Sequence, residues 1–305
     1  MSQKCHICVC ICTYERPRLL GNLLGKLEEQ ETGGLFDYSI VIVDNDRLES
    51  ARETVETHAR QSKLAISYNI EPRQNISLAR NKAVQVSKGD FVAFIDDDEF
   101  PNSRWLLNLY KAINRYKVAG VLGPVIPYFE NEPPKWVLKG RFFDRPSDIS
   151  GHVLERQNTR TGNALLRRAI FKEDCIWFRP EYGRGGEDRE FFGRKIEQGH
   201  VFVWCREAPV FETITPERWE TKIIIKRALL RGKMAFNSSR TRPKNILISG
   251  AAIMIYTVSL PLLFVFSPII GYDIFMGYLI KNFDHLGNIF ALFNIDLVKE
   301  KYVSF

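Results

Sequence analysis

Short apolar runs alternate with helical stripes along the first 117 residues of the chain. The apolar runs predict buried strands, because they are short and rich in β-branched or aromatic side chains. These strands are predicted at residues 6–12, 38–43, 64–70 and 90–95. The stripes predict helices over residues 17–29, 47–61, 76–87 and 103–117. The third of these helices follows Asn75, a residue type favoured as an N-cap.

This order of elements predicts an α/β fold. A strand, a helix and a second strand in succession are typical of parallel pairing with a crossover helix. We therefore predict a Rossmann-like, mostly parallel sheet with helices on both faces. Ligands of such sheets bind beyond the carboxyl ends of the strands. That rule selects Thr13–Tyr14, Asp44–Asp46 and Asp96–Asp98 as candidate site residues.

The pattern is less regular after residue 117. Residues 127–160 are rich in proline, arginine and aromatic residues, and we predict loops that cover a site there. Further elements are predicted as a strand at 161–168, a helix at 187–198 and short strands at 201–204 and 208–212.

A basic segment and an uncharged segment follow. The formal net charge of +7 arises from 43 lysines and arginines against 36 aspartates and glutamates, and the excess is local. Residues 217–244 contain nine basic and two acidic side chains, whereas residues 245–272 contain no charged side chain. Such a pair of segments favours anionic lipids at the cytoplasmic face of a membrane. The alternative is an ordinary solvated helix face. No nucleic-acid-binding motif accompanies the charge, so we expect no nucleic-acid partner.

The chain is thus predicted to have three parts. These are an α/β domain over residues 1–215, a basic amphipathic linker helix over 216–244 and an apolar membrane-associated tail over 245–305. A helix that spans a bilayer needs about 20 apolar residues, and residues 246–266 meet that length, with Pro261 inside. A spanning helix, a re-entrant hairpin, a pair of in-plane helices and a soluble helix pair all remain open.

The cysteines indicate a reducing compartment. Cys8, Cys10 and Cys12 alternate along the first predicted strand, so they share one of its faces. Cys5 and Cys8 have a Cys-x-x-Cys spacing, but no second pair follows at a zinc-like distance. Buried thiols in a reduced cytosol are the simpler interpretation. The first apolar run is too short for a signal peptide, and we expect the α/β domain in the cytoplasm.

Two acidic clusters carry candidate chemistry. Asp96, Asp97 and Asp98 follow the fourth predicted strand, and three adjacent carboxylates repel one another unless a cation compensates. A hard divalent cation takes one or two carboxylates and completes its shell with phosphate oxygens and water. Glu187 and Asp188 follow two glycines at a predicted helix start. Either carboxylate could act there as a general base or simply cap the helix.

Several spaced motifs together resemble the inverting family 2 glycosyltransferases with the GT-A fold, and within them the bacterial exopolysaccharide transferases of the succinoglycan glucosyltransferase type. The resemblance covers about residues 5–235. The motifs that carry it are residues 12–17 (CTYERP), 43–46 (VDND), 75–81 (NISLARN), 94–99 (FIDDDE), 123–125 (GPV), 161–168 (TGNALLRR) and 185–188 (GGED).

The resemblance implies an enzyme and assigns roles to single residues. On the donor side, the nucleotide-sugar would be bound by Thr13, Tyr14, Asp44, Asn45, Arg80, Asp96 and Asp97. Asp98, together with Asp96, would hold Mg²⁺ or Mn²⁺ on the diphosphate. Asp188 would be the catalytic base, with Glu187 beside it. Gly162 and Asn163 would shape the acceptor side.

The resemblance also implies partners and a location. The donor would be a nucleotide diphosphate sugar, most simply a UDP-sugar. The acceptor would be a saccharide on a polyprenyl diphosphate, at the cytoplasmic face of the cytoplasmic membrane. Arg227, Arg231 and Lys233 would then be candidates to meet the lipid diphosphate. One departure is notable, because many relatives carry a metal-assisting histidine where this chain has Phe211. We therefore assign neither Phe211 nor Glu212 to the metal.

Two other functions fit parts of the sequence. A nucleotidyltransferase of nucleotide-sugar metabolism would also need acidic residues that hold a metal and a diphosphate. A non-catalytic membrane scaffold of a polysaccharide assembly would account for the basic segment and the apolar tail. The released product separates the two enzymes, and metal-dependent nucleotide binding separates an enzyme from a scaffold.

Overall fold

The computed structural model describes residues 4–172, 176–183, 185–238, 242–293 and 295. The chain divides into two compact units. The first comprises the described residues of 1–127 and 145–213, and the second those of 128–144 and 214–303. Residues 128–144 thus group with the C-terminal helices, although the sequence predicted one domain over residues 1–215.

The first unit contains the α/β pattern. Its strands are β1 (Cys5–Thr13), β2 (Phe36–Asp44), β3 (Ile66–Ile70), β4 (Phe91–Ile95), β5 (Glu99–Pro101), β6 (Gly120–Leu122), β7 (Val125–Phe129), β8 (Asn163–Arg167), β9 (Phe202–Trp204) and β10 (Val210–Ile214). The last residues of β7 and of β10 belong to the second unit. Its helices are α1 (Pro17–Glu28), α2 (Arg52–Gln61), α3 (Ile76–Val86), α4 (Trp105–Tyr116) and α6 (Glu187–Glu197). The helices of the second unit are α5 (Lys135–Gly140), α7 (Thr221–Ser238), α8 (Arg242–Ile270) and α9 (Tyr272–Leu292).

Seven strands form the main sheet in the order β3-β2-β1-β4-β8-β6-β9. All neighbouring strands are parallel except where β8 lies between β4 and β6, to both of which it is antiparallel. The predicted α/β fold with a mostly parallel sheet is therefore confirmed. A smaller sheet has the order β5-β10-β7.

Helices cover both faces of the main sheet because its central strands carry apolar side chains on both faces, as β1 illustrates. Its side chains point alternately to the two faces. Ile7, Val9 and Ile11 belong to a core that includes the leucines of α1 and Trp105 of α4. Cys8 and Cys10 belong to a second core that includes residues of α3 and α6. The cysteines lie on one face as predicted, and within the described residues they are free thiols; Cys175 lies outside the described residues.

Three differences from the predicted elements have physical causes. Helix α2 begins at Arg52 rather than at residue 47, because the carboxylates of Asp44 and Asp46 accept backbone N–H groups of the intervening turn. Strand β8 is antiparallel, a direction that apolar periodicity does not encode. Residues 99–140 contain the short elements β5, β6, β7 and α5, which are shorter than the windows on which periodicity depends.

The second unit is a helical one in which α7 and α9 approach closely. A Cβ on Gly232 of α7 would lie 1.9 Å from the carbonyl oxygen of Asp284 in α9. A Cβ on Gly287 would likewise lie 2.1 Å from the carbonyl oxygen of Leu229. Arg231 and Asp284 form an ion pair at 3.0 Å across the same contact. Glycine is therefore required at both positions for the helices to meet at this distance.

Candidate active site

The candidate residues lie at the carboxyl edge of the main sheet. Strands β1 and β2 end side by side there, because Thr13 is the register partner of Asp44. Strand β4 pairs with β1 on its other side and ends at Ile95, and three aspartates follow at once. The rule that ligands bind beyond these ends thus gathers three separate segments at one edge of the sheet.

Asp97 and Asp98 are buried carboxylates that share one arginine. The Nη1 atom of Arg16 lies 3.0 Å from Oδ1 of Asp97 and 3.0 Å from Oδ2 of Asp98. The Thr13 hydroxyl donates to the other carboxylate oxygen of Asp97, at 2.8 Å. Burial raises the pKa of Asp97, and the charge of Arg16 acts in the opposite direction. The predicted donor residues Thr13 and Asp97 are therefore joined to each other.

Arg80, on α3, is buried between two further carboxylates. Its guanidinium donates to Oε1 of Glu187 and lies 3.3 Å from Oδ1 of Asp96. The Phe178 ring lies beside it, at 6.0 Å from the guanidinium carbon to the ring centroid. Asp96 follows β4 and Glu187 begins α6, so this one side chain holds the start of α6 beside the carboxyl edge of the sheet. Its predicted contact with the nucleotide-sugar remains a prediction.

Asp188 follows Glu187 in the first turn of α6 and is partly exposed. Gly185 and Gly186 lead into the helix with φ angles of 127° and 89°, which glycine adopts without strain. Asp188 makes no ion pair within the part of the chain that the structure describes, and its Oδ1 accepts the N–H of Arg189 at 2.7 Å. Of the two adjacent carboxylates, Glu187 is therefore buried and held by Arg80, whereas Asp188 is partly exposed.

Gly162, the residue before β8, lies against the carboxylates of Asp96 and Glu99. A Cβ at this position would lie 2.9 Å from Oδ2 of Asp96 and 2.9 Å from Oε1 of Glu99. Asn163 is fully buried, and its amide donates to two backbone carbonyls and accepts from the indole N–H of Trp105 at 2.8 Å. Asn163 thus ties the start of β8 in place. The predicted roles of Gly162 and Asn163 on the acceptor side remain predictions.

Asp44, the last residue of β2, and Asn45, which follows it, hold neighbouring loops in place. Asp44 accepts hydrogen bonds from the Tyr68 hydroxyl, at 2.8 Å, and from two backbone N–H groups of the next loop. Burial raises the pKa of Asp44. Asn45 donates to two backbone carbonyls beyond β3 and accepts from the N–H of Asn75, the residue that caps α3 as predicted. Tyr14 is partly exposed at the end of β1. The predicted contacts of these residues with the nucleotide stay predictions.

A second group of buried charges was not predicted from the sequence. Glu99 in β5 lies directly opposite Glu212 in β10, and each is at most 3% exposed. Arg145 forms an ion pair with Glu212, and the Glu99 carboxylate accepts the N–H of Asp96 at 3.2 Å. Burial, together with the neighbouring carboxylates, raises the pKa of Glu99 well above its usual value. Through the hydrogen bond from Asp96 to Glu99, this group supports the turn that begins at Asp96.

Phe211, which was not assigned to the metal, packs against an aromatic neighbour in the smaller sheet. Its ring stacks on Phe100 of β5, with the centroids 5.5 Å apart. The residue of β10 beside Asp98 is Thr213, whose N–H donates to the Asp98 carbonyl at 2.7 Å. The antiparallel pairing of β5 with β10 joins segments about 110 residues apart, so a sequence pattern could not reveal this neighbourhood. Arg16, in contrast, follows the end of β1 and could have been selected by the strand-end rule.

Asp96 and Asp98 are the residues predicted to hold a divalent cation. Within the described ranges, no group of three or more His, Cys, Asp or Glu side chains is arranged to hold a metal. A site for Mg²⁺ needs only one or two carboxylates when phosphate oxygens and water complete the shell. The guanidinium of Arg16, placed equally close to Asp97 and Asp98, is a cation that these carboxylates already share. Asp98 and Asp96 remain the predicted ligands.

Comparisons with known proteins agree with this fold. A sequence profile of the family described as Glycosyl transferase family 2 matches residues 8–175. The chain is 34% identical to the succinoglycan biosynthesis protein ExoM of Rhizobium meliloti over 239 residues, which are 76% of this chain and 74% of ExoM. It is 24% identical to the poly(ribitol-phosphate) beta-N-acetylglucosaminyltransferase TarS of Staphylococcus aureus over 193 residues, which are 60% of this chain and only 31% of TarS.

Solved structures give the same result for the fold. The mannosyltransferase PcManGT from Pyrobaculum calidifontis, in complex with GDP-Man and Mn²⁺, matches with a TM-score of 0.65 and 16% identity, over 97% of this chain and 89% of that one. S. aureus TarS 1-349 in complex with UDP-GlcNAc matches with a TM-score of 0.54 and 17% identity, over 97% of this chain and 95% of that one.

The sheet, the acidic strand ends and these similarities define a GT-A glycosyltransferase. The chain belongs to glycosyl transferase family 2, since the family profile covers more than half of it and ExoM exceeds 30% identity over three quarters of it. The resemblance found in the sequence motifs is therefore confirmed at the level of family, fold and enzyme class.

The contact at Gly162 generates a testable prediction. The change Gly162→Ala forces Asp96 or Glu99 to move, because a Cβ does not fit 2.9 Å from their oxygens. We expect the transfer rate to fall about tenfold to a hundredfold, since small displacements of site groups are costly to catalysis. Sugar transfer and thermal unfolding would be measured for both this variant and Gly25→Ala, whose Cβ meets nothing within 4 Å. Equal activity of the two variants would contradict the close contact.

Proposed function

We propose that this enzyme is an inverting hexosyltransferase that moves a hexose from a UDP-sugar to a saccharide acceptor. The observation that carries the proposal is the pair of contacts made by Arg80, which bring Asp96 and the start of α6 together at one edge of the sheet. The ligands of TarS and PcManGT support a nucleotide-sugar donor. The similarity to ExoM supports a role in bacterial exopolysaccharide synthesis.

The donor would lie along the carboxyl edge of the sheet. The side chains assigned to it there are Thr13, Tyr14, Asp44, Asn45, Arg80, Asp96 and Asp97. Asp98 and Asp96 would hold Mg²⁺ or Mn²⁺, a cation that, when bound, stabilises the growing charge of the leaving diphosphate. Asp97 is also held by Thr13 and Arg16, and these contacts keep the turn in shape.

Asp188 would be the general base. It would take the proton of the acceptor hydroxyl as that oxygen attacks the anomeric carbon from the face opposite the diphosphate, which inverts the configuration. Glu187 is less suited to this step because Arg80 occupies one of its oxygens in a buried ion pair. The role of Glu187 is then to fix the first turn of α6, and with it the position of Asp188.

The base assignment is tested by Asp188→Asn. We expect this variant to lose transfer by about 10² to 10⁴-fold, the usual contribution of a positioned base, while its affinity for the UDP-sugar changes little. Transfer would be followed by UDP release, and binding by calorimetry. Asp37→Asn, at a carboxylate whose side chain is 68% exposed, is the matched control. Full transfer by Asp188→Asn would remove the assigned base.

The same assay separates the competing functions. Release of UDP supports glycosyl transfer, whereas release of pyrophosphate would support a nucleotidyltransferase. A membrane scaffold would bind UDP and Mn²⁺ with no dependence of one on the other, or would bind neither.

The apolar tail supports a membrane partner. Within α8, residues 246–270 form a candidate span of 25 residues with a mean hydropathy of 2.1, and its most apolar stretch has no buried residue. Many of its large apolar side chains are exposed, among them Leu247, Met254, Val258, Val265 and Ile269. Apolar surface of this kind is stable in contact with lipid acyl chains rather than water. We therefore assign α8 to the cytoplasmic membrane, with the catalytic unit on the cytoplasmic face.

The pairing of α8 with α9 favours an in-plane arrangement over a spanning one. The two helices are antiparallel neighbours, since Ser249 hydrogen-bonds His285 and the rings of Phe264 and Phe275 are in contact. A hairpin that crossed the bilayer would place the middle of α9 at the bilayer centre. The exposed Lys281 lies there, and a charge facing lipid at that depth costs about 2.5–3.5 kcal/mol or more. The hairpin would instead lie in the interface, with α8 embedded.

A membrane position agrees with a lipid-linked acceptor. The basic side chains of α7 would lie near anionic head groups, each contributing on the order of 1 kcal/mol. Of the three cations assigned to a lipid diphosphate, Arg231 also forms an ion pair with Asp284 of α9. Arg227, Arg231 and Lys233 remain the candidates for the diphosphate of a polyprenyl-linked saccharide.

The arrangement of the hairpin is tested by cysteine labelling at its turn. In sealed membrane vesicles with the cytoplasmic face outward, we expect a membrane-impermeant maleimide to label Asp273→Cys and the α7 variant Lys222→Cys alike, above the background of the native thiols. Both variants should remain unlabelled in intact cells. Labelling of Asp273→Cys from outside the cell, with Lys222→Cys protected, would indicate that α8 crosses the membrane.

A further inference from the structure

The backbone on either side of Arg16 is conformationally restricted. The residue before it, Glu15, has a φ of 51°, a left-handed conformation that is costly for a side chain with a Cβ. The residue after it is Pro17, which begins α1 and has a fixed φ. The backbone therefore turns sharply between β1 and α1. It presents the Arg16 guanidinium to the carboxyl edge of the sheet.

A single nitrogen of that guanidinium serves two buried carboxylates. Nη1 lies 3.0 Å from Asp97 and 3.0 Å from Asp98, whose side chains are each 5% exposed, while the Arg16 side chain is 24% exposed. The guanidinium thus reaches the buried aspartates from the more exposed side. Without this cation, adjacent carboxylates in a region of reduced dielectric would repel each other strongly.

The oxygen that Arg16 contacts on Asp98 belongs to the carboxylate assigned to the metal. A divalent cation on Asp98 and a guanidinium on the same oxygen repel each other at short range. Binding of a metal to this Oδ2 atom would therefore require that Arg16 give up its contact with Asp98. If a diphosphate is bound nearby, the displaced guanidinium can pair with its phosphate oxygens, because arginine forms charge-assisted hydrogen bonds with phosphate.

We propose that Arg16 is a resident counter-cation of Asp97 and Asp98, which the incoming metal and nucleoside diphosphate displace together. This inference rests on the proposed function, since it needs a divalent cation at Asp98. Metal alone displaces Arg16 without giving it a new partner, so metal alone binds weakly. Metal with the diphosphate displaces Arg16 and offers it phosphate oxygens, so the two ligands bind cooperatively. The enzyme thereby disfavours a metal-loaded site that holds no donor.

The experiment is a titration of Mn²⁺, followed by the electron paramagnetic resonance signal of the free ion, with and without saturating UDP. We expect Arg16→Gln to bind Mn²⁺ alone about tenfold more tightly than the parent, which corresponds to about 1.4 kcal/mol. We also expect the gain in Mn²⁺ affinity caused by UDP to shrink by a similar factor. Coupling is reciprocal, so Mn²⁺ should raise the affinity for UDP less in the variant than in the parent.

Two further variants keep the result interpretable. Arg18→Gln removes the same charge from an exposed position on α1, and it should behave as the parent does. Arg16→Lys keeps the charge but lacks the planar fork, so it should fall between the parent and Arg16→Gln and serves if the latter unfolds.

Three outcomes would overturn the inference. Equal Mn²⁺ affinity of Arg16→Gln and the parent, or an unchanged effect of UDP, would overturn the displacement while leaving the proposed function intact. Absence of Mn²⁺ binding by every variant, with and without UDP, would overturn the metal site itself and this inference with it.

Discussion

The candidate site at the carboxyl edge of the main sheet depends on the ion pairs of one buried side chain, Arg80. A buried charge is stable only when it is paired, because removal of either partner leaves an uncompensated ion in a region of low dielectric. Arg80 is paired twice, with Asp96 after β4 and with Glu187 at the start of α6. Two segments that lie about 90 residues apart in sequence are thereby held together, and the first turn of α6, which carries Asp188, is fixed beside the Asp96 turn as a consequence.

The same principle extends along the whole acidic turn. Residues 96–99 carry four consecutive carboxylates, three of which are at most 5% exposed. Such a run is stable in the folded protein because arginines from other segments compensate it. Arg16 meets Asp97 and Asp98, Arg80 meets Asp96, and Arg145 meets Glu212, which is the strand partner of Glu99. The arginines thus keep these carboxylates clustered, and a cluster of carboxylates is the kind of site that a divalent cation can occupy.

Much of this edge could be predicted from the sequence, because it follows from local patterns. The apolar runs at β1, β2 and β4 located the strand ends, and the strand-end rule then selected Thr13, Asp44 and Asp96–Asp98. The antiparallel pairing of β5 with β10 could not be predicted, since it joins distant short segments. The same holds for the contacts of Arg80, Arg16 and Arg145, each of which reaches a carboxylate more than 15 residues away. Sequence patterns located the acidic residues, and only the folded chain revealed what neutralises them.

The central claim is that the two contacts of Arg80 couple the donor side of the site to the base. A double-mutant cycle with Arg80→Gln and Glu187→Gln, read out as both kcat/KM for transfer and free energy of unfolding, tests it most directly. The account predicts strongly non-additive effects, with a coupling energy of about 0.5–3 kcal/mol in each quantity, because the two variants break one interaction. Additive effects in kcat/KM would contradict the claim and leave Arg80 a residue of the fold alone.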